Sequence, residues 1–291
     1  MSVARKQVLI LTRKWSSDML DFVSSAMSRT SVAELGNSPK RSRRMAAILD
    51  TVAERGEISL AELAVVFETS PATMRRDLTV LADQGLIART HGGAKVNGSL
   101  AEMPVALRDT RFQEAKRRIA RAAAARIPRE RHAVAMSGGT TTSGVARELA
   151  NHGDLTIVTN SLSIASLVSV HPRLKVVMTG GILRPQSLEL VGVLAEGTFT
   201  AVNVGTAVLG ADGISAAQGV TTHDETEART NHAMVAKAKR TIVVADGSKV
   251  GHAALARMAD ITEVDILITD DSADPDELAR LRAAGVEVVL A

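Results

Sequence analysis

The chain has 291 residues, 45% of them hydrophobic and 23% charged, with 2% aromatic residues and neither Cys nor Tyr. That length exceeds the roughly 100–200 residues of one ordinary domain, and the balance excludes a disordered chain, a collagen-like fibre and a disulfide scaffold. The missing cysteines exclude thiol nucleophiles and thiolate zinc sites, the scarce aromatics exclude nucleic-acid readers built on base stacking, and a net charge of +3 names no partner until its distribution is known.

Taken in chain order, the first apolar run, Val8 to Leu11, is closed at once by Arg13 and Lys14. It is too short for a signal-peptide core or a membrane span, so a cytoplasmic chain with no membrane partner is expected. Residues 1–38 lack sustained periodicity, hold the single Trp15, and read as a flexible N-terminal extension. From Lys40 a basic cluster (Lys40, Arg41, Arg43, Arg44) leads into Met45, Ile48, Leu49 and Val52, spaced as one helical face and stopped by Gly56. Ser59 with Glu62 predicts a capping box opening a helix over Leu60–Phe67, and Ser70-Pro71 predicts the N-cap and first position of a third helix, to Asp83. Two short strands about Gly92-Gly93 then predict a wing. Residues 39–96 thus form one small module, and residues 97–113, polar and carrying Pro104, form a linker.

Residues 114–291 open with an Ala/Arg-rich helix, Glu114–Arg126, and then alternate strands with helices. The expected strands are Ala133–Met136, Leu155–Thr159, Leu174–Met178, Thr206–Leu209, Thr241–Ala245, Asp265–Ile268 and Val286–Leu290. The expected helices between them include Ser143–Asn151, Asn160–Val170 and Asp224–Lys239. Continuous apolar runs suit strands buried on both faces, which gives an α/β fold with a parallel, Rossmann-like sheet covered on both sides.

On the third helix Met74, Leu78 and Leu81 fall on one side, Ala72, Thr73, Arg76 and Thr79 on the other, with Arg75 on the flank. Small residues and Arg turned outward are what insertion into a DNA major groove requires, since Arg can grip guanine or phosphate. Arg89, His91 and Lys95 of the wing add positive or polar groups, whereas the acids lie mostly on the first two helices. An isolated Arg-Arg pair reads equally well as a solvated face.

The second module's sharpest feature is Ser137-Gly138-Gly139-Thr140-Thr141-Thr142-Ser143-Gly144, set between a strand and a helix. Such a turn offers backbone N–H groups and hydroxyls at a positive helix end, which suits phosphate. It has neither the Gly-Lys-Ser/Thr ending of a nucleotide loop nor a G-x-G-x-x-G spacing. Thr159-Asn160-Ser161, Thr179-Gly180-Gly181, Gly210-Ala211-Asp212-Gly213 and Asp246-Gly247-Ser248-Lys249 also follow strand ends, where open α/β sheets bind ligands. Lys249 would meet a phosphate, and Asp212 or Glu225 would accept hydrogen bonds from sugar hydroxyls; singly, each also reads as a surface charge. His223 and His232 read as ordinary helix residues, and no metal or cofactor is expected.

The segment ELAVVFETSPATMRRDLTVLADQGLIARTHGGA closely resembles the N-terminal winged helix-turn-helix of the DeoR family of bacterial transcriptional regulators, with Met74 where a branched aliphatic residue is usual. The resemblance implies that Ser70, Thr73, Arg75 and Arg76 face double-stranded operator DNA and that Arg89 and His91 support them from the wing. The later loops resemble the same family's sugar-phosphate-sensing C-terminal domain. This implies an effector site at Gly139, Thr140, Thr141, Thr142, Asn160, Gly181, Asp212, Glu225 and Lys249. Ser137 stands where the sensor's motif usually carries Asp. The domain is also similar to ribose-5-phosphate isomerases, whose Gly-Ala-Asp-x-x-Asp motif here ends in Ser215, so binding without turnover is implied and no catalytic residue is assigned. The expected function is a DNA-binding regulator, a repressor of carbohydrate genes released by a phosphorylated sugar or related metabolite. It would act as a homodimer or homotetramer paired through the sensor helices, because one small reading head makes few base contacts. The competing readings are a constitutive DNA-binding protein whose sensor is a scaffold, and an isomerase with an attached nucleic-acid module.

Overall fold

The computed structural model describes residues 39–97, 102–109 and 111–291. The N-terminal extension of residues 1–38 with its Trp15 lies outside them, as do residues 98–101 and 110 of the linker. Helix α1, Pro39–Arg55, turns Met45, Ile48 and Val52 inward, each at most 1% exposed, and ends where Gly56 takes φ +74°. Strand β1, Glu57–Ser59, follows, and then α2, Leu60–Val66. The capping box is present: Ser59 Oγ accepts from the Glu62 N–H at 3.2 Å while the Glu62 carboxylate accepts from the Ser59 N–H at 3.1 Å. Helix α3, Pro71–Asp83, starts on Ser70, whose Oγ accepts from the Thr73 N–H at 3.2 Å. Strands β2, Ile87–Arg89, and β3, Gly93–Val96, make the wing.

The wing holds three strands, not two, in the antiparallel order β1-β3-β2, with Ile58 opposite Ala94. β1 was missed because one apolar residue, Ile58, shows no alternation, and its strand conformation comes from pairing with the open edge of β3. The linker also differs from a polar strap. Residues Val105–Arg108 form a single turn, α4, whose Leu107 is 2% exposed within the apolar cluster of Met45, Ile48, Leu78 and Leu81.

The second unit begins with α5, Gln113–Ala124, and then alternates β4 (His132–Met136), α6 (Thr140–Leu149), β5 (Leu155–Thr159), α7 (Leu162–Val168) and β6 (Lys175–Met178). A hairpin, β7 (Ile182–Arg184) with β8 (Glu189–Val191), and α8 (Val193–Thr200) lead to β9 (Thr206–Gly210). Next come β10 (Gly213–Ser215), β11 (Gly219–Thr222), α9 (Glu225–Val235), β12 (Thr241–Val244), β13 (Ala256–Ala259), β14 (Ile266–Thr269), α10 (Pro275–Ala283) and β15 (Glu287–Leu290). The seven expected strands form one parallel sheet in the order β15-β14-β12-β9-β4-β5-β6. Its two faces carry separate cores, one around Phe199, Leu209 and Leu267, the other around Ile119, Val145 and Ile157. The hairpin β7–β8 and a second antiparallel sheet, β10-β11-β13, were not read from sequence.

Three helix starts differ from expectation, and the first two change the setting of candidate site residues. α6 starts at Thr140 instead of Ser143, so the three threonines are its first turn, because Gly139 at φ +120° serves as N-cap. α7 starts at Leu162, capped by Ser161, which leaves Asn160 outside the helix. α9 starts at Glu225 with Asp224 as its cap. His223 therefore sits in the turn before α9 and is not a helix residue.

Candidate effector cleft and DNA-facing surface

The sheet is built outward from β4: the chain adds β5 and β6 on one side and then returns to place β9 on the other. The crevice at such a reversal lies beyond the carboxyl ends of the strands, between the loops after β4 and β9. Here those loops, Ser137–Gly139 and Gly210–Asp212, wall a cavity of about 150 Å³. The space suits a compact, polar ligand.

Of the effector residues read from sequence, Gly139, Thr140, Thr141, Thr142, Asp212 and Lys249 line this cavity. Gly139 leaves the first turn of α6 without a side-chain cap, so the positive end of that helix faces the cavity. The Thr142 hydroxyl is spent within the turn, donating to the Gly139 carbonyl at 3.0 Å. Asn160, Gly181 and Glu225 are not on the wall. Asn160 is fully buried one layer behind, donating from Nδ2 to Asn231 Oδ1 at 3.2 Å. Gly181 opens the β7–β8 hairpin at φ +135°, where a Cβ would stand 2.7 Å from the Val191 carbonyl oxygen. Glu225 points outward from the first turn of α9 and is exposed. The acid on the wall is Glu227, two residues on, because Asp224 caps α9 and directs the next turn inward.

The cavity wall carries groups of both signs. Lys116, Lys249 and Arg108 bring positive charge, and Glu102, Glu189, Asp212 and Glu227 bring acids. Burial holds the Lys116 ammonium down, to about 8, with Asp246 and Asp109 opposing the shift. Arg108 Nη1 donates to Asp212 Oδ1 at 2.8 Å, and Thr222 Oγ1 lies 3.0 Å from Asp212 Oδ2 and 2.7 Å from Glu227 Oε1. Burial pushes the Glu189 carboxyl well up and Glu227 beside it adds to the shift, while the Gly138 N–H donates to Glu189 and opposes it. Arg184 makes ion pairs with Glu102, Asp224 and Glu227. His223 also lines the cavity.

Arg108, Lys116, Glu189 and Glu227 escaped the sequence reading. Lys116 lies three residues into an Arg/Ala-rich helix that reads as a solvated face, and Arg108 lies in the assumed linker. A weak signal existed for Glu227: it stands three residues after Asp224, the spacing of a cap and the N–H that it accepts.

On the reading module, Ala72, Arg75 and Arg76 are exposed along α3 while Met74, Leu78 and Leu81 pack inward. Among the described residues neither Arg75 nor Arg76 has a side-chain partner. Ser70 Oγ and Thr73 Oγ1 lie 2.9 Å apart at the start of α3, and Arg89 of β2 donates to Thr79 Oγ1 at 3.1 Å. His91 is exposed at the tip of the wing. The six residues expected to face DNA thus lie along α3 and its adjoining wing. The basic entry cluster is used otherwise: Arg41 Nε and Arg44 Nε grip the two oxygens of Asp77 at 2.8 and 2.7 Å, and Asp77 is 1% exposed.

Comparison with known proteins covers both units. Residues 44–99 match the family model for the DeoR-like helix-turn-helix domain and residues 111–271 that for the DeoR C-terminal sensor domain. The chain is 35% identical to the glycerol-3-phosphate regulon repressor of Escherichia coli strain K12, over 79% of this chain and 91% of that one. It is 36% identical to the HTH-type transcriptional regulator GlpR of Haloferax volcanii, over 86% and 96%. With the HTH-type transcriptional repressor CsqR of Escherichia coli strain K12 it shares 32%, over 89% and 98%. A ribose 5-phosphate isomerase A from Methanocaldococcus jannaschii superposes at a TM-score of 0.36 with 15% identity, over 47% of this chain and 54% of that one, a likeness too slight to bear on function.

Proposed function

Because the chain belongs to the DeoR family of transcriptional regulators, we propose that it is a DNA-binding repressor of carbohydrate genes, released from its operator by a phosphorylated sugar or related metabolite held in the cleft. The observation that carries this reading is the pairing of two surfaces in one chain. One is an α3 helix with Arg75 and Arg76 outward; the other is a cleft whose wall brings together Lys116, Lys249 and the α6 N-terminus with the acids Asp212 and Glu227. Phosphate suits the first group and a polyol the second.

Residues 39–96 act as the reading head and residues 114–291 as sensor and dimer or tetramer scaffold, so that two heads meet repeated half-sites. Among the described residues no helix is long and apolar enough to cross a membrane. Glycerol 3-phosphate and hexose phosphates are the first ligands to try. Binding without turnover is part of this reading, since Ser215 stands where the sequence motif that resembles the isomerases' would end in Asp.

The test is a pair of variants. Arg76→Ala is expected to weaken operator binding by about 1–3 kcal/mol with ligand affinity unchanged. Lys249→Ala is expected to weaken ligand binding by roughly 1.5–3 kcal/mol, the size of a hydrogen bond to a charged group, with operator affinity unchanged. Loss of both functions in either folded variant would overturn this division of labour.

Lys116 adds a pH signature. Its ammonium is charged below about pH 8 in the free protein and is neutralised above it. Affinity for a dianionic phosphate ligand should therefore fall as the pH rises through 8, with proton uptake on binding near that pH, and Lys116→Met should flatten the profile. For stability the sign is opposite: the folded value lies below the ordinary lysine value of 10.5, so the burial penalty is fully present below pH 8 and is relieved between pH 8 and 10.5. Calorimetric titration across pH 6.5–9.5 reads the binding effect.

A further inference from the structure

Two adjacent side chains of the connector belong to different parts of the molecule. Leu107 is 2% exposed inside the apolar cluster of the reading head, with Met45, Ile48 and Val52. Its neighbour Arg108 stands in the wall of the cleft, donating to Asp212 at 2.8 Å and to Glu102 at 3.3 Å. Both lie on the single turn α4, so a displacement of that turn moves both. The turn is tied on each side. Lys116 Nζ donates to the Arg108 carbonyl at 2.7 Å, the Val105 N–H donates to the Gln186 carbonyl at 2.9 Å, and Arg111 pairs with Asp50 of α1.

The Arg108 guanidinium is not fully used. Its Nε is buried with no hydrogen-bond partner among the described residues, and so is the Ser187 hydroxyl, 5% exposed in the same cleft. Unpaired buried polar atoms cost free energy that an incoming acceptor or donor relieves. At the exit of the connector Phe112 holds φ +54°, a left-handed conformation unfavourable for a bulky residue, and its side chain also lines the cleft. Strain of this kind persists where the surroundings over-determine it, and such residues gather at segments that switch.

We propose that Arg108 reports ligand occupancy to the DNA-reading head: an anionic oxygen of the bound metabolite takes Arg108 from Asp212, and the movement of its turn is felt through Leu107 in the packing of α1. The inference rests on the cleft being the ligand site. It supplies what coupling requires, two arrangements of one element with different ligand contacts: Arg108 on Asp212 in the first, Arg108 on the ligand in the second. Asp212, left with Thr222, becomes available to a ligand hydroxyl in the second arrangement.

Hydrogen exchange on the full-length protein tests this, with inorganic phosphate as the probe. Arg108→Ala and Asp212→Asn should each speed amide exchange in α1 and α4 by roughly tenfold, within the range of allosteric couplings, and leave β4, β9 and β12 unchanged. Phosphate should slow exchange at Gly139–Thr142 in the wild type, speed it in α1, and have no effect on α1 in Arg108→Ala. Asp212→Asn removes charge while keeping size, so it serves if Arg108→Ala does not fold. Protection at Gly139–Thr142 with α1 unmoved would overturn this proposal alone. No protection there, even where both variants loosen α1, would overturn the cleft reading and this proposal with it.

Discussion

Asp77→Ala is expected to destabilise the reading head strongly while the stability of the sensor stays unchanged. Asp77 is 1% exposed on the inner face of α3 and accepts from Arg41 at 2.8 Å and Arg44 at 2.7 Å, both on α1. This buried carboxylate joins the two helices whose relative placement sets the outward angle of Arg75 and Arg76. Removing one partner of a buried ion pair typically costs about 3–5 kcal/mol, because the remaining charge loses that compensation for its desolvation. The exposure of Arg41, at 34%, places the expectation at the lower end, about 3 kcal/mol. Thermal unfolding followed by circular dichroism should show an early transition for the head and an unchanged one for the sensor. A single unchanged transition would contradict the role assigned to the clamp.

Gly93→Ala should act on the same head by a different route. Gly93 pairs with Ser59 across β1 and β3, and a Cβ there would stand 2.1 Å from the Ile58 carbonyl oxygen and 2.7 Å from the Ser59 Cα. Both obstacles are backbone, so rotamer changes give no relief and the strand pair must separate. The cost of forcing atoms into packed structure is typically about 1–3 kcal/mol, and a backbone clash belongs at the top of that range. β1 ends at the Ser59 cap of α2, so its displacement also loosens the start of that helix. Operator affinity should fall together with head stability. Gly92→Ala is the control, since a Cβ at Gly92 meets nothing within 4 Å.

What the sequence disclosed follows from which forces are local. The strands of the parallel sheet were legible because most are continuous apolar runs bounded by turn residues, as suits the five inner strands buried on both faces, while the partly exposed edge strands β6 and β15 keep shorter runs. Ser59 with Glu62, and Ser70 with Pro71, were legible because capping acts over three residues. β1, the β7–β8 hairpin and the small sheet were not: each strand is three or four residues long, too short to show alternation, and β1 and β13 also pair with strands distant in sequence. Within the cleft, the glycine turn after β4 announced itself, whereas Arg108 and Lys116 reach it from a connector and a helix that precede the sheet altogether. Glu225 and Glu227 are two residues apart in sequence, and the pitch of α9 alone decides which faces the cavity. The role of Arg41 and Arg44 in the entry cluster was not legible, because their partner Asp77 lies 36 and 33 residues away.

The most direct test of the account is a titration of the purified full-length protein on its own upstream DNA at fixed, stated salt, repeated with glycerol 3-phosphate and a panel of hexose and pentose phosphates. The account predicts specific binding that one phosphorylated metabolite releases, with the apparent affinity falling about 5–150-fold, the span of ordinary allosteric couplings. Specific binding indifferent to every member of the panel would contradict the sensor assignment and leave a constitutive DNA-binding protein. Absence of specific binding would contradict the repressor itself.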